Sequence, residues 1–219
     1  MEWLDPRFII TALGPWVYIG LFLIIFAESG LFFGFFLPGD SLLLTAGLFA
    51  FEGTLNIWWL IPLLFVAAVF GDNVGYWFGR KTGPPLFTRE ESFLFKPRNL
   101  KAAHDFYEKH GGKTIILARF MPFIRTFAPI VAGAVEMNYR SFMTFNLVGG
   151  ALWAGGVTLA GYWLGSVFPP ELLDRYFVII VAAVIVISVA PTAWHLWQEN
   201  GDAILARLGL KKKADANNK

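Results

Sequence analysis

The chain has 219 residues, of which 56% are hydrophobic, 17% aromatic and 16% charged, with a formal net charge of +2. A soluble domain carries about 25% charged residues, so this composition excludes an ordinary soluble fold and points to a single integral membrane domain. Cysteine is absent, which removes disulfides, thiol nucleophiles and thiolate metal sites.

The first residues carry Glu2 and Asp5 rather than the basic start of a cleaved signal, so the first apolar run reads as retained. A spanning helix needs about 20 apolar residues. Four stretches meet that length: Ile9–Ala27, Ile57–Phe78, Ser141–Leu164 and Tyr176–Trp197. Two more are interrupted. Pro38-Gly39-Asp40 breaks Ser29–Phe51, and Arg119, Pro122, Arg125 and Pro129 break Lys113–Val135. Proline lacks an N–H and clashes with the preceding turn, so each stretch breaks near its first proline. The arms that remain are about 8 to 12 residues, roughly 12 to 18 Å as helix, or half of the ~30 Å hydrocarbon layer. The expectation is two re-entrant hairpins, tipped by Pro38 and Gly39 in the first and by Pro122 together with Pro129 in the second. Broken backbone at that depth must be buried in protein or line a wet cavity.

Three short motifs occur twice in the same order. Phe36-Leu37-Pro38 returns as Phe120-Met121-Pro122, Ala46-Gly47 as Ala132-Gly133, and Gly75-Tyr76-Trp77-Phe78-Gly79 as Gly161-Tyr162-Trp163-Leu164-Gly165. The offset is 84 residues for the first pair and 86 for the others. Internal symmetry in an apolar chain is the mark of a transporter built from two repeats with its site between them. Repeat one covers about 28–80, a basic segment 81–112, repeat two about 113–166, and a C-terminal helix and tail 176–219, all in one membrane domain over 1–219. The fold class expected is all-α: four transmembrane helices, two opposed re-entrant hairpins in an inverted repeat, and a cytoplasmic amphipathic helix over Arg98–His110 after Pro97.

Basic residues orient this layout. Eight Lys/Arg lie in Arg80–Lys113 and five in the tail, against one in Ser166–Arg175 and none in Glu52–Asn56. The positive-inside bias puts the basic segment, the tail and, by the expected number of crossings, the N-terminus in the cytoplasm. The first hairpin then enters from outside and the second from inside, with tips meeting near mid-bilayer.

Arg119 and Arg125 are the sharpest chemical signal. A charge at the centre of a membrane helix costs at least about 2.5–3.5 kcal/mol. Guanidinium is planar, always charged and binds phosphate in a bidentate fork, so two arginines beside a broken helix read as an anion site. The competing reading is that they snorkel to the cytoplasmic surface. Asp40 falls one alignment position from Arg125 in the repeat and is its candidate partner, although Asp after Pro-Gly also caps a following helix. Glu28 reads either as a proton-titrating carboxylate or as a surface acid at the outer interface. For Asp72, a helix-end salt bridge to Arg80, about two turns on, is the preferred account. Gly71, Gly75, Gly79, Gly161 and Gly165 read as helix-packing positions, and the Trp and Tyr residues as interfacial belts. His104 and Glu108 have metal-compatible spacing but no third ligand, so neither a metal nor another cofactor is expected. No phosphate loop, nucleophile elbow or zinc-protease motif is present. The basic tail suits anionic lipid headgroups.

Phe26-Ala27-Glu28-Ser29-Gly30, Phe36-Leu37-Pro38-Gly39-Asp40-Ser41, Gly71-Asp72 and the run from Phe106 to Gly133 resemble the DedA family of bacterial membrane proteins, part of a superfamily that includes the SNARE-associated Golgi proteins. The likeness covers about Trp16 to Trp197. It implies opposed re-entrant hairpins and movement of lipids between leaflets: recycling of the polyprenyl-phosphate carrier of envelope synthesis (undecaprenyl phosphate), or phospholipid flipping, dependent on the proton gradient across the bacterial inner membrane. By motif, the family's two acidic and two arginine positions correspond to Glu28, Asp40, Arg119 and Arg125. The leading expectation is therefore a non-enzymatic flippase in which Arg119 and Arg125 hold the lipid phosphate while Glu28 and Asp40 exchange protons. A proton-coupled antiporter of a small ion or solute is the alternative. A lipid phosphatase lacks a nucleophile or base in the motifs, and a purely structural role would tolerate loss of the charges. No nucleic-acid partner is expected, and the sequence leaves the oligomeric state open.

Overall fold

The computed structural model describes residues 6–31, 37–86 and 112–168. The expected fourth span Tyr176–Trp197, the amphipathic helix Arg98–His110, most of the basic segment and the tail lie outside the described residues. All regular structure among the described residues is helical. Three stretches are long and apolar enough to cross a membrane: Arg7–Gly30, Ile57–Gly83 and Tyr139–Val167.

The first is not one straight rod. Helix α1 (Pro6–Leu13) and helix α2 (Val17–Gly30) are joined by a 3₁₀ turn at Gly14–Trp16. Gly14 sits at φ +48°, a conformation that side chains disfavour and glycine accepts. The bend lets the Leu13 side chain fold over Gly20, where a Cβ would collide with it. The Asn56 backbone N–H donates to the Tyr18 hydroxyl at 2.8 Å, so the start of α2 lies beside the start of helix α4 (Ile57–Leu86). The far end of α2 lies beside the middle of α4, since Gly30 rests on the backbone of Gly71. The stretch is long and apolar enough for the expected crossing, and its α2 part runs beside the first half of α4.

Helix α3 (Gly39–Phe51) is buried on nearly every side, which is why its sequence shows no apolar stripe. It lies along helix α8 (Gly156–Val167) through glycine: Gly47 is pressed on the Thr158 carbonyl, and Gly161 on the Leu44 carbonyl. Helix α4 makes the matching contact with helix α6 (Pro122–Ala134), with Gly79 on the Ile130 carbonyl and Gly133 on the Tyr76 carbonyl. Gly71 and Gly165 likewise pack, on α2 and on the Phe51 ring, while Gly75 meets Pro129 Cβ at 3.4 Å. The two seams correspond, with one adjustment. Motif alignment pairs Gly161 with Gly75, whereas equivalent contacts pair it with Gly79, one helical turn further on.

Helix α5 (Lys113–Arg119) is separated from α6 by Phe120 and Met121. Pro122 opens α6 at its first position, where a missing N–H costs nothing. Pro129 is no part of that break: it lies inside α6, with its ring buried. A proline inside a helix removes the bond to the carbonyl four residues back, here that of Arg125. Asn138 caps helix α7 (Tyr139–Gly150), its Oδ1 accepting from the backbone N–H groups of Arg140 and Ser141 at 3.0 and 3.3 Å. One π turn, Ala151–Gly155, joins α7 to α8.

The surface is apolar, unlike that of a soluble protein, and the otherwise apolar interior encloses polar and charged groups. Phe70, Leu23, Leu152, Leu159 and Trp163 are exposed, while Glu28, Asp72, Arg119, Asn146 and Thr158 are buried. Exposed Trp58 and Trp77 on α4 are about 28 Å apart at 1.5 Å per residue, the spacing of two membrane interfaces. Gly161→Ala should lower the melting temperature of detergent-solubilised protein, because its Cβ would strike backbone. Gly156→Ala faces open space and should leave melting unchanged or raise it, by about 0.5–1 kcal/mol of helix propensity.

Candidate functional site

Seven buried or half-buried polar side chains converge where the ends of the short helices meet the middles of the long ones. Glu28 comes from α2, Asp40 from α3, Asp72 from α4, Arg119 from α5, Arg125 from α6, Asn146 from α7 and Trp153 from the π turn. Each sits where its element makes it available. Asp40 is the second residue of α3 and Arg119 the last of α5, placements that the helix dipole favours for an anion and a cation. Arg125 is the fourth residue of α6, at the positive end of a helix that no side chain caps. That position disfavours a cation, so Arg125 depends on external carboxylates.

It has two. Arg125 Nη1 donates to Asp40 Oδ1 at 2.7 Å, and Nη2 donates to Glu28 Oε1. Glu28 is 0% exposed and its carboxylate lies directly on Gly39, leaving no space for a Cβ there. This contact is the reason that the residue before Asp40 is glycine. The indole Nε1–H of Trp153 donates to the same Asp40 oxygen at 2.7 Å. Asp40 is therefore not the helix cap that its position after Pro-Gly allows: Pro38 occupies the cap position and α3 has no side-chain cap.

Arg119 forms a second group. Its Nη2 donates to Asp72 Oδ2 and to Asn146 Oδ1, and Asn146 Nδ2 donates to the Val69 carbonyl at 3.2 Å. Arg119 is 3% exposed, which rules out snorkelling. Asp72 is not the helix-end partner of Arg80, whose guanidinium instead lies over Trp77, 5.5 Å from the ring centroid. Trp153 joins the two groups, with Arg125 Cζ 4.8 Å and Arg119 Cζ 5.8 Å from its ring centroid. Glu28 Oε2, Arg119 Nε, Arg125 Nε and the Thr126 hydroxyl are buried with no hydrogen-bond partner among the described residues.

The structure thus brings together all four residues singled out by sequence, Glu28, Asp40, Arg119 and Arg125, and adds Asp72, Asn146 and Trp153. Asp72 had a usable signal, as a charge in the middle of an apolar span. Asn146 is polar within another span, and Trp153 lies too far from either end of its span to be an interfacial belt residue. Electrostatically, three carboxylates face two guanidinium groups, so the cluster is neutral only with one further positive charge. Chemically it can exchange an anion against carboxylates at a guanidinium, or take up a cation. The residues named for a metal, His104 and Glu108, lie outside the described residues.

Residues 37–163 match the family model described as the VTT domain. The chain is 47% identical over 185 residues to Protein DedA of Escherichia coli, covering 84% of this chain and 83% of that protein. It is 44% identical over 215 residues to an uncharacterized membrane protein of Mycobacterium leprae, covering 96% and 93%. Inner membrane protein YqjA of Escherichia coli is 37% identical over 150 residues, 68% of each chain. No solved structure matches significantly.

Removing one member of a buried ion pair strands the other at a cost of about 3–5 kcal/mol. Asp72→Ala should therefore destabilise the folded protein by that order. Adding Arg119→Leu to Asp72→Ala should restore much of the loss. Denaturant or thermal unfolding in detergent, run as a double-mutant cycle, measures both.

Proposed function

The chain belongs to the DedA family of VTT-domain membrane proteins, and on that premise we propose that it is a transporter that moves a lipid phosphate across the bacterial inner membrane, coupled to the proton gradient. The observation that carries this reading is Arg125 held between Glu28 and Asp40 in the interior of an apolar helical domain. A guanidinium that already grips two carboxylates is shaped to grip a phosphate in their place. Protonation of one carboxylate loosens the grip and frees the fork; deprotonation restores it and expels the headgroup. The surplus of one carboxylate over the guanidinium groups gives that proton a place. Only the headgroup needs a polar path, since the prenyl or acyl chain stays in the bilayer. A polyprenyl phosphate or a phospholipid fits this chemistry.

On this reading α2 and α3 are the arms of one re-entrant hairpin and α5 and α6 of the other. Support comes from the short lengths of α3, α5 and α6, from α2 ending beside the middle of α4, and from the corresponding glycine seams. The basic segment after α4 faces the cytoplasm. The start of α2, beside Asn56, then faces outward. The Arg119 group acts as a second, more fixed cation beside the first, since Asp72 and Asn146 already engage it.

A proton-coupled antiporter is the second reading, favoured by the same surplus carboxylate. Proteoliposomes loaded with labelled polyprenyl phosphate or labelled phospholipid, with and without a pH gradient, separate the two. Lipid movement that responds to the gradient is expected; ion flux without lipid movement supports the antiporter. Arg125→Ala should abolish transport at normal protein level. Arg125→Lys should recover little, because an ammonium cannot form the fork. Full transport by both Arg119→Ala and Arg125→Ala would overturn the mechanism.

A further inference from the structure

Trp153 is 2% exposed and sits halfway along the Tyr139–Val167 stretch, far from the interfaces where tryptophan normally serves a membrane protein. The element that carries it is the π turn Ala151–Gly155. Such a turn holds one residue more than an α turn and so re-aims the side chains within it, and isolated π turns concentrate at functional sites. From this turn the indole N–H reaches the anion of one ion-pair group, while the ring face lies against the cations of both.

The two carboxylates around Arg125 are made unequal by this contact. Asp40 Oδ1 accepts two hydrogen bonds, from Arg125 and from Trp153. Glu28 Oε1 accepts from Arg125 and the carboxylate lies against the Gly39 backbone, but no second side chain among the described residues donates to it, and its Oε2 has no side-chain partner there. A donated N–H orients an anion and holds it in place. The other charged groups around Asp40 are Arg125 on α6 and Glu28 on α2, with the Arg119–Asp72 pair of α5 and α4 on the far side of the indole. Each of these groups is charged, whereas the indole that donates to Asp40 is neutral.

We propose that Trp153 is a positioning residue that pins Asp40 as the standing counter-ion of Arg125, so that Glu28 is the carboxylate that lets go when a phosphate headgroup enters. The proposal rests on the lipid-phosphate reading and divides labour between two acids which that reading treats alike.

Trp153→Phe keeps a ring over the guanidinium groups and removes the N–H; Trp153→Leu removes both. Labelled polyprenyl phosphate transport, compared at equal amounts of folded, monodisperse protein, should fall about tenfold in Trp153→Phe, the worth of one hydrogen bond to a charged group. It should fall further in Trp153→Leu. The pH profile of transport should shift in Trp153→Phe, which a purely structural role would not cause. A thermal-melt cycle of Trp153→Phe, Asp40→Asn and the double variant reads the contact without transport, and the double variant should melt no lower than the worse single variant. Parental rate and pH profile in Trp153→Phe, or additive losses in the cycle, overturn the proposal while leaving lipid transport intact. A parent protein that moves no phosphate lipid overturns the functional reading itself, and with it the headgroup step proposed here.

Discussion

A guanidinium group inside an apolar domain is tolerable only if carboxylates go in with it, and the pairing of Arg125 with Glu28 and Asp40 sets the demands that the other helices meet. Each charge taken out of water costs several kcal/mol before pairing. Arg125 stands at the start of α6, where the helix field opposes it, so a lone partner is a weak remedy. Two partners arrive from different elements. Glu28 ends a helix that accompanies only half of α4, and Asp40 begins a helix that starts at the same depth. Both carboxylates are therefore delivered at helix ends, where backbone groups are unsatisfied and chain direction is free to change.

Holding helix ends at that depth requires the supporting helices to come very close. The seams of α3 with α8 and of α4 with α6 do this with glycine set against carbonyl oxygen. Such approaches are available where a Cβ is missing, and they suit a lipid environment in which van der Waals packing replaces hydrophobic collapse between helices. Apolar residues also cover the surface, where Phe70, Trp58 and Trp163 stand exposed. Within an interior still packed with Leu21, Ile25, Leu42, Leu43, Leu60 and Leu64, the charges form one enclosed cluster, with Glu28 lying against the Gly39 backbone. Packing and electrostatics are thus one problem here: a seam that opened by one methyl group would also part an ion pair.

The composition carries the all-helical membrane class, and the repeat alignment, which sets Asp40 one position from Arg125, names two residues that the structure pairs. What the sequence hides has physical causes. Hydropathy measures how apolar a run is and not how it bends, so Ile9–Ala27 reads as one straight crossing although the Arg7–Gly30 stretch is two helices joined by a 3₁₀ turn at Gly14–Trp16. Asp72 has a basic residue two turns away on its own helix, and local spacing outbids a partner 47 positions distant. Trp153 looks like any membrane tryptophan until the π turn aims it inward. Pro129 carries the same residue type as Pro122 but lies inside an established helix rather than at its start.

That internal proline has a further effect. Its missing N–H deprives a carbonyl one turn back, that of Arg125, of its helical partner. The backbone of the principal cation is thereby released from the ladder that stiffens the remainder of α6. A joint results between the guanidinium-bearing end and the glycine seam beyond it. On the transport reading proposed above, the charged end could shift as its partners exchange while Gly133 keeps its seat on the Tyr76 carbonyl of α4.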